Sequence, residues 1–252
     1  PLDDVRVRKA LSLSIDRQQI IRRMLQGDER VATAFVPSGI GGYLSPDRVT
    51  YNPEEARALL AEAGFPGGAG FPALELLFNT SDNHRKIAEA IQQMWRHQLG
   101  IEISLTNKEW KVFLNTTRDL NYDIARAGWI GNLYPFSFLR NFLSTSANNE
   151  TGYADPKYDR ILLESSHTLD PEKRFQLVGQ AERLLLEAEP IIPLYWYTNV
   201  FLIDPRVRNW TPKLVDQLQE SAHRLVLGGE RRELTVLFSD VRGFTTLAES
   251  YR

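Results

Sequence analysis

Between residues 74 and 105 the hydrophobic positions change period twice. Leu74 to Asn79 is a compact apolar run that reads as a strand, and Ile101, Ile103 and Leu105 alternate with polar residues as a half-buried strand does. Between them Ile87, Ala90, Ile91, Met94 and Trp95 recur at three- and four-residue steps, which defines one helix face. Ser81 or Asp82 caps that helix and Gly100 ends it. Trp110 to Arg118 reads as a further short helix, and Tyr122 to Trp129 as a third strand. Upstream, Asn52-Pro53-Glu54-Glu55 supplies an N-cap, a proline in the first turn and early acids for a helix over Ala56 to Ala63, closed by Gly64. Pro66 to Pro72 holds too many breakers for regular structure.

The pattern loosens after residue 130. Residues 130 to 155 are dominated by loop, with Tyr134-Pro135, a short helix near Phe138, and a small, polar stretch from Ser144 to Gly152. Helices follow over Lys157 to Ser166 and Pro171 to Glu189, the second opened by Asp170-Pro171-Glu172. Pro190 to Tyr197 reads as a buried strand that Val200 to Ile203 continues after a polar turn. Alternating helix and strand signals predict an α/β or α+β domain. Around residues 205 to 212 the character changes. A helix is expected from Lys213 to Leu225, Gly228-Gly229 breaks the chain, and Leu234 to Ser239 with Thr246 to Tyr251 forms a strand and a helix around Asp240. One strand and one helix cannot close a core, so this last element reads as the opening of an incomplete domain.

Composition narrows the functional classes. Of 252 residues, 42% are hydrophobic and 25% charged, an ordinary globular balance, and the net charge of -2 gives no global field for nucleic acid or an anionic membrane. With no cysteine, disulfide scaffolds, thiolate zinc sites and a cysteine nucleophile are excluded, and four histidines leave little for a metal cluster. No uninterrupted apolar run is long enough to span a bilayer. Pro1 stands where a Met or a leader would be expected, which suggests a processed or excised segment.

Enzyme signatures are absent: no phosphate loop ending in Lys-Ser or Lys-Thr, no helically spaced His pair with Glu, no nucleophile elbow. Gly39-Ile40-Gly41-Gly42 is not followed by a helix start and reads as a turn rather than a phosphate cradle. Trp110, Trp129 and Tyr134 lie beside elements rather than in an apolar stripe, as the walls of a wet ligand pocket or as core. Arg126, between Ala125 and Ala127, is either a bidentate clamp for a carboxylate or a solvated charge on a sheet face. His84 sits one turn into a capped helix, where an exposed residue and a ligand contact are both open.

Four ordered stretches, 4–17, 79–86, 109–114 and 125–129, with 148–153, Tyr158-Asp159 and 190–197 after them, resemble the peptide-type extracellular solute-binding proteins, family 5, which deliver peptides to an ABC importer. The likeness covers residues 1 to 208 and matches only the carboxy-terminal half of that family. It implies one lobe of a two-lobed, periplasmic-binding-protein-like α/β fold, periplasmic or extracytoplasmic, that needs no cofactor and has an oligopeptide and an ABC permease as partners. It also implies that Trp110 and Trp129 line the pocket and that His84 and Arg126 meet the peptide's carboxylate end. Asn132 departs from the family, which places an Asp there to pair with the ligand's ammonium. The departure implies a weaker grip on free amino termini, or a different ligand such as a blocked peptide.

A second resemblance covers the tail. Residues 227 to 246, including Val236-Leu237-Phe238-Ser239-Asp240, are similar to the first strand and turn of class III adenylate or guanylate cyclases, with 209–230 as a helical linker and 231–252 as a truncated α+β cyclase start. That likeness implies Asp240 as one of two carboxylates holding Mg or Mn, a dimer for a complete domain, and a cytoplasmic location for such a fusion. From the residues alone Asp240 is equally a helix cap. The second metal-holding carboxylate is not in the sequence, so no catalysis is expected of this chain.

Overall fold

The computed structural model describes residues 1–25, 28–132, 134–198, 204, 206 and 207. The chain divides into two compact units, Pro1–Phe201 and Leu202–Arg252, and the elements below belong to the first. The expected strand over Val200 to Ile203, the linker at 209–230 and the cyclase-like segment with Asp240 lie outside the described residues.

The change of period near residue 74 marks the centre of a parallel sheet. Strand β2 (Leu74–Asn79) pairs along its whole length with β3 (Ile103–Lys108), in register from Leu74 opposite Ile103 to Asn79 opposite Lys108. On its other edge β2 pairs in parallel with β4 (Ile124–Ala125), giving the order β3-β2-β4. Parallel neighbours need crossovers, which helices α4 (Asp82–Leu99) and α5 (Trp110–Arg118) supply. The first crossover moves outward from β2 to β3 and the second returns across β2 to β4, so right-handed connections put the two helices on opposite faces.

Burial follows the strand period. Leu74, Leu76 and Phe78 join a core with Ile87, Ile91, Trp95 and Leu99 of α4, while Leu77, fully buried, points to the opposite face. That first core also takes Val7, Ala10 and Leu11 from α1 (Val5–Leu13) and Ala56 and Leu60 from α3 (Pro53–Glu62). Ser81 caps α4, and Gly100 ends it with φ 70°. A Cβ on Gly68 would lie 2.3 Å from the Gly100 carbonyl oxygen, so two glycine backbones touch where no side chain fits.

A second core gathers α6 (Pro135–Leu139), α7 (Pro156–His167) and α8 (Pro171–Ala188) around Phe138, Leu139, Tyr158, Leu162, Val178 and Leu185, with Val36 and Tyr43 from an upstream loop. Within it the Glu182 carboxylate accepts from the Val36 amide at 2.7 Å and the Tyr43 hydroxyl at 2.6 Å. Short strand β1 (Arg30–Val31) pairs antiparallel with β5 (Tyr195–Trp196). Helix α2 (Arg17–Ile20) opens with Arg17, whose guanidinium lies wholly among oxygen acceptors. Among the described residues no helix is long and apolar enough to cross a membrane.

Two expected strands are much shorter than the sequence suggests. Of Tyr122 to Trp129 only Ile124–Ala125 is strand, because the Asp123 carboxylate takes the Glu75 amide at 2.9 Å in place of a backbone partner and the chain leaves the sheet after Arg126. Of Pro190 to Tyr197 only Tyr195–Trp196 is strand, and it is half-buried rather than buried. Pro190 and Pro193 have no amide hydrogen to offer a ladder. The glycine segment at 39–42 is a turn, with positive φ at Gly39, Gly41 and Gly42.

Candidate functional site at the strand ends

Parallel strands bring their carboxyl ends to one edge, which is where open α/β sheets place ligands. Here β2 ends at Asn79 and leads through Thr80 and Ser81 to His84, β3 ends at Lys108 and leads to Trp110, and β4 leads to Arg126 and Trp129. Every residue singled out from the sequence in 1–208 therefore follows the carboxyl end of a strand in one three-stranded sheet.

His84 stands in the first turn of α4, its amide donating to the Ser81 hydroxyl at 3.5 Å. The ring is part-buried and its Nδ1 is sealed with no hydrogen-bond partner; the Oδ1 of Asn79 is sealed in the same way. Burial, and then the nearby Arg126 charge, push the imidazole below its ordinary value against a hydrogen bond to the Asn79 backbone, and the net shift favours the neutral ring.

Arg126 is pinned by its backbone, which donates to the Leu77 carbonyl at 2.8 Å. Its guanidinium donates to the hydroxyl of Tyr197. A Cβ on Gly128 would lie 3.2 Å from the same guanidinium, so the glycine leaves the arginine room to lie along the loop. Tyr197 packs edge-on against Tyr195, ring centroids 5.2 Å apart at 73°. Burial, then the bond to Tyr197, raise the Tyr195 hydroxyl above its ordinary value, while Arg126 opposes the shift.

Trp110 opens α5 and stays 50% exposed, with its ring stacked 5.9 Å from the buried Phe113 at an interplanar angle of 11°. The inner residue thus holds an aromatic face toward water. Trp129 and Tyr134 are exposed as well, at 38% and 42%. Asn132 is exposed; its Oδ1 accepts from the Tyr134 amide at 3.0 Å and its own amide donates to Ser137 Oγ at 3.2 Å. Because a backbone N–H needs an acceptor, this bond assigns the oxygen inward and leaves the Nδ2 donors for whatever comes from outside.

Direct interactions join Arg126, Tyr197 and Tyr195 into one cluster, and His84 lies close enough to feel the Arg126 charge. Trp110, Trp129 and Asn132 follow the same strands, and the contacts of Trp110 and Asn132 are local. The sequence reading missed Tyr195 and Tyr197. Their signal was present: residues two apart on a strand share a face, and Trp196 between them points away, its indole donating to the Phe35 carbonyl at 3.3 Å. Among the described residues no group of three His, Asp or Glu is placed to hold a metal ion. Donors and aromatic faces suit the holding of a carboxylate and the covering of apolar groups.

Residues 1–150 match the family model of the bacterial extracellular solute-binding proteins, family 5 Middle. The chain is 35% identical over 217 residues to the oligopeptide-binding protein OppA of Bacillus subtilis, an alignment covering 82% of this chain and 40% of that protein. It is 37% identical over 220 residues to the periplasmic oligopeptide-binding protein OppA of Salmonella typhimurium, with 84% and 40% covered. Among solved structures, Haemophilus influenzae OppA in complex with RPPGFSPFR superposes with a TM-score of 0.73 at 36% identity, covering 78% of this chain and 40% of that one. The chain thus spans about 40% of the length of the curated relatives it matches.

Proposed function

This chain belongs to the bacterial extracellular solute-binding proteins of family 5, and from that premise we propose that it forms the carboxy-terminal lobe of a peptide receptor serving an ABC importer. The observation that carries the reading is that His84 and Arg126 follow the carboxyl ends of the paired strands β2 and β4, beside exposed tryptophans. A cation with free donors and a neutral imidazole suit a peptide's terminal carboxylate, while Trp110 and Trp129 offer flat faces to side chains without selecting among them. Backbone and terminal groups are common to all peptides, so such a site grips many sequences. The relatives named for peptide binding are periplasmic or oligopeptide-binding proteins, which supports an extracytoplasmic location, with the permease as partner.

Asn132 belongs to the same site in this reading. With Oδ1 committed to the Tyr134 amide, it presents donors and no carboxylate, which favours a carbonyl over an ammonium at that point. The lobe's function requires no cofactor. A nucleotide-cyclase role for the tail, with Mg or Mn at Asp240, rests on sequence likeness alone and forms no part of the proposal.

Calorimetric titration of the full-length protein with unmodified peptides of two to five residues tests the reading. Binding at micromolar or tighter affinity, accompanied by a change in tryptophan fluorescence, is the expected result. Absence of binding across the whole set would refute it.

A further inference from the structure

An arginine at an exposed strand end has five donors on a side chain that carries about 2 kcal/mol of rotamer entropy. Unrestrained, it loses that freedom whenever it grips a ligand. Arg126 is restrained at both ends. Its backbone is bonded to Leu77, and its guanidinium is bonded to the Tyr197 hydroxyl. Tyr197 is itself fixed, because its ring packs on Tyr195 and Tyr195 is paired opposite Val31 in the β1–β5 ribbon.

The kind of acceptor matters as much as its presence. A carboxylate in place of the phenol would hold the guanidinium equally well but would cancel its charge. A phenol oxygen takes one N–H and leaves the positive charge whole. Among the described residues no ion pair involves Arg126. The charge is felt next door, where it helps keep His84 unprotonated.

We infer that Tyr197 is a positioning residue for ligand binding: its hydroxyl holds the Arg126 guanidinium over the carboxyl ends of the sheet, with the charge uncancelled and free donors turned to a ligand carboxylate. The inference rests on the peptide-binding reading above and adds to it a residue that acts through Arg126. It explains why a tyrosine occupies the site-facing side of the segment after β5, while Trp196 faces the other way and serves packing.

A double-mutant cycle in the full-length protein tests it, with trialanine and trialanine C-terminal amide as probes. Tyr197→Phe keeps the ring and removes only the hydroxyl. It is expected to weaken trialanine binding about tenfold, a change worth about 1.4 kcal/mol, and to leave the amide within twofold. In an Arg126→Gln background the same substitution is expected to change neither. A role in folding alone would weaken both probes alike and persist in the Arg126→Gln background; either result overturns the inference. No wild-type binding of either probe overturns the peptide reading itself, and a preference for trialanine that Tyr197→Phe leaves intact overturns the inference alone.

Discussion

Arg17 and Arg126 carry the same guanidinium in opposite surroundings. Arg17 is 3% exposed and donates to the carbonyls of Pro193 at 2.7 Å, Ser12 at 3.1 Å, Ile15 at 3.2 Å and Thr50 at 3.2 Å, and to Ser12 Oγ at 3.0 Å. Burial lowers it to about 10, so it stays charged at neutral pH while tying α2 to the segment before β5. Arg126 has a phenol and an open edge. A cation bonded to the fold through all three of its nitrogens is part of the fold; one with donors left over at a strand end is available to a ligand. The sealed interior and the open edge should therefore fail differently when altered.

The largest effect is expected at the sealed cation. Arg17→Met leaves several buried carbonyls without their donor and should cost about 3–5 kcal/mol of stability in chemical denaturation, with ligand affinity of the folded fraction unchanged. A loss below about 1 kcal/mol would break the contrast with Arg126.

Glu182 sharpens it from the acid side. Burial raises its carboxyl from 4.5 to about 7, against the opposing pull of the bonds from Tyr43 and Val36. A raised folded value means the proton is held more tightly in the native state. The stabilisation is thus fully present below 4.5 and lost as pH rises through 7, by about 3 kcal/mol. In Glu182→Gln the amide oxygen still accepts from Val36 and the amide nitrogen donates to Tyr43, so that slope should disappear from a plot of stability against pH.

Between interior and edge stands Gly131, where a Cβ would lie 2.3 Å from the Phe138 ring. Gly131→Ala should cost about 1–3 kcal/mol by overpacking and shift the loop carrying Asn132. Unchanged melting of that variant would show that the second core does not hold the loop. Arg126→Gln, by contrast, should move stability by less than about 0.5 kcal/mol while weakening peptides with a free carboxylate.

Smallest is the titration of His84. Followed by NMR, it should show a value below the ordinary 6.5, because burial and Arg126 both disfavour the cation. Since its folded value is depressed, its contribution to stability is present above 6.5 and falls away as pH drops. Substituting Arg126 with Gln should raise the value; an unchanged value would show that the two side chains do not sense each other.

What the sequence disclosed and what it hid follow the same division. Strand β2 and helices α4 and α5 were legible because apolar period and end signals agree: Ser81 caps, Gly100 stops, and Ile87, Ile91 and Trp95 are buried together. Asp170 and Pro171 announced α8 in the same way. Helix α1 was not read from its pattern, since Arg6, Arg8 and Lys9 interrupt the apolar face that Val7, Ala10 and Leu11 form. The lengths of β4 and β5 were hidden because strand extent depends on partners, which a neighbouring carboxylate at Asp123 and missing proline amides decide. For the site, His84, Trp110, Arg126, Trp129 and Asn132 were chosen on residue type and family likeness, and they follow the carboxyl ends of adjacent strands. Tyr197 was hidden because its bond to Arg126 spans 71 residues of sequence.

In the proposed site the strand-end edge holds a ligand carboxylate through Arg126. Calorimetry of the full-length protein with one peptide and its C-terminal amide measures that directly. Tighter binding of the free carboxylate by tenfold or more, abolished by Arg126→Gln, is the predicted result. Equal affinity for the two forms, or a preference for the amide, would contradict it.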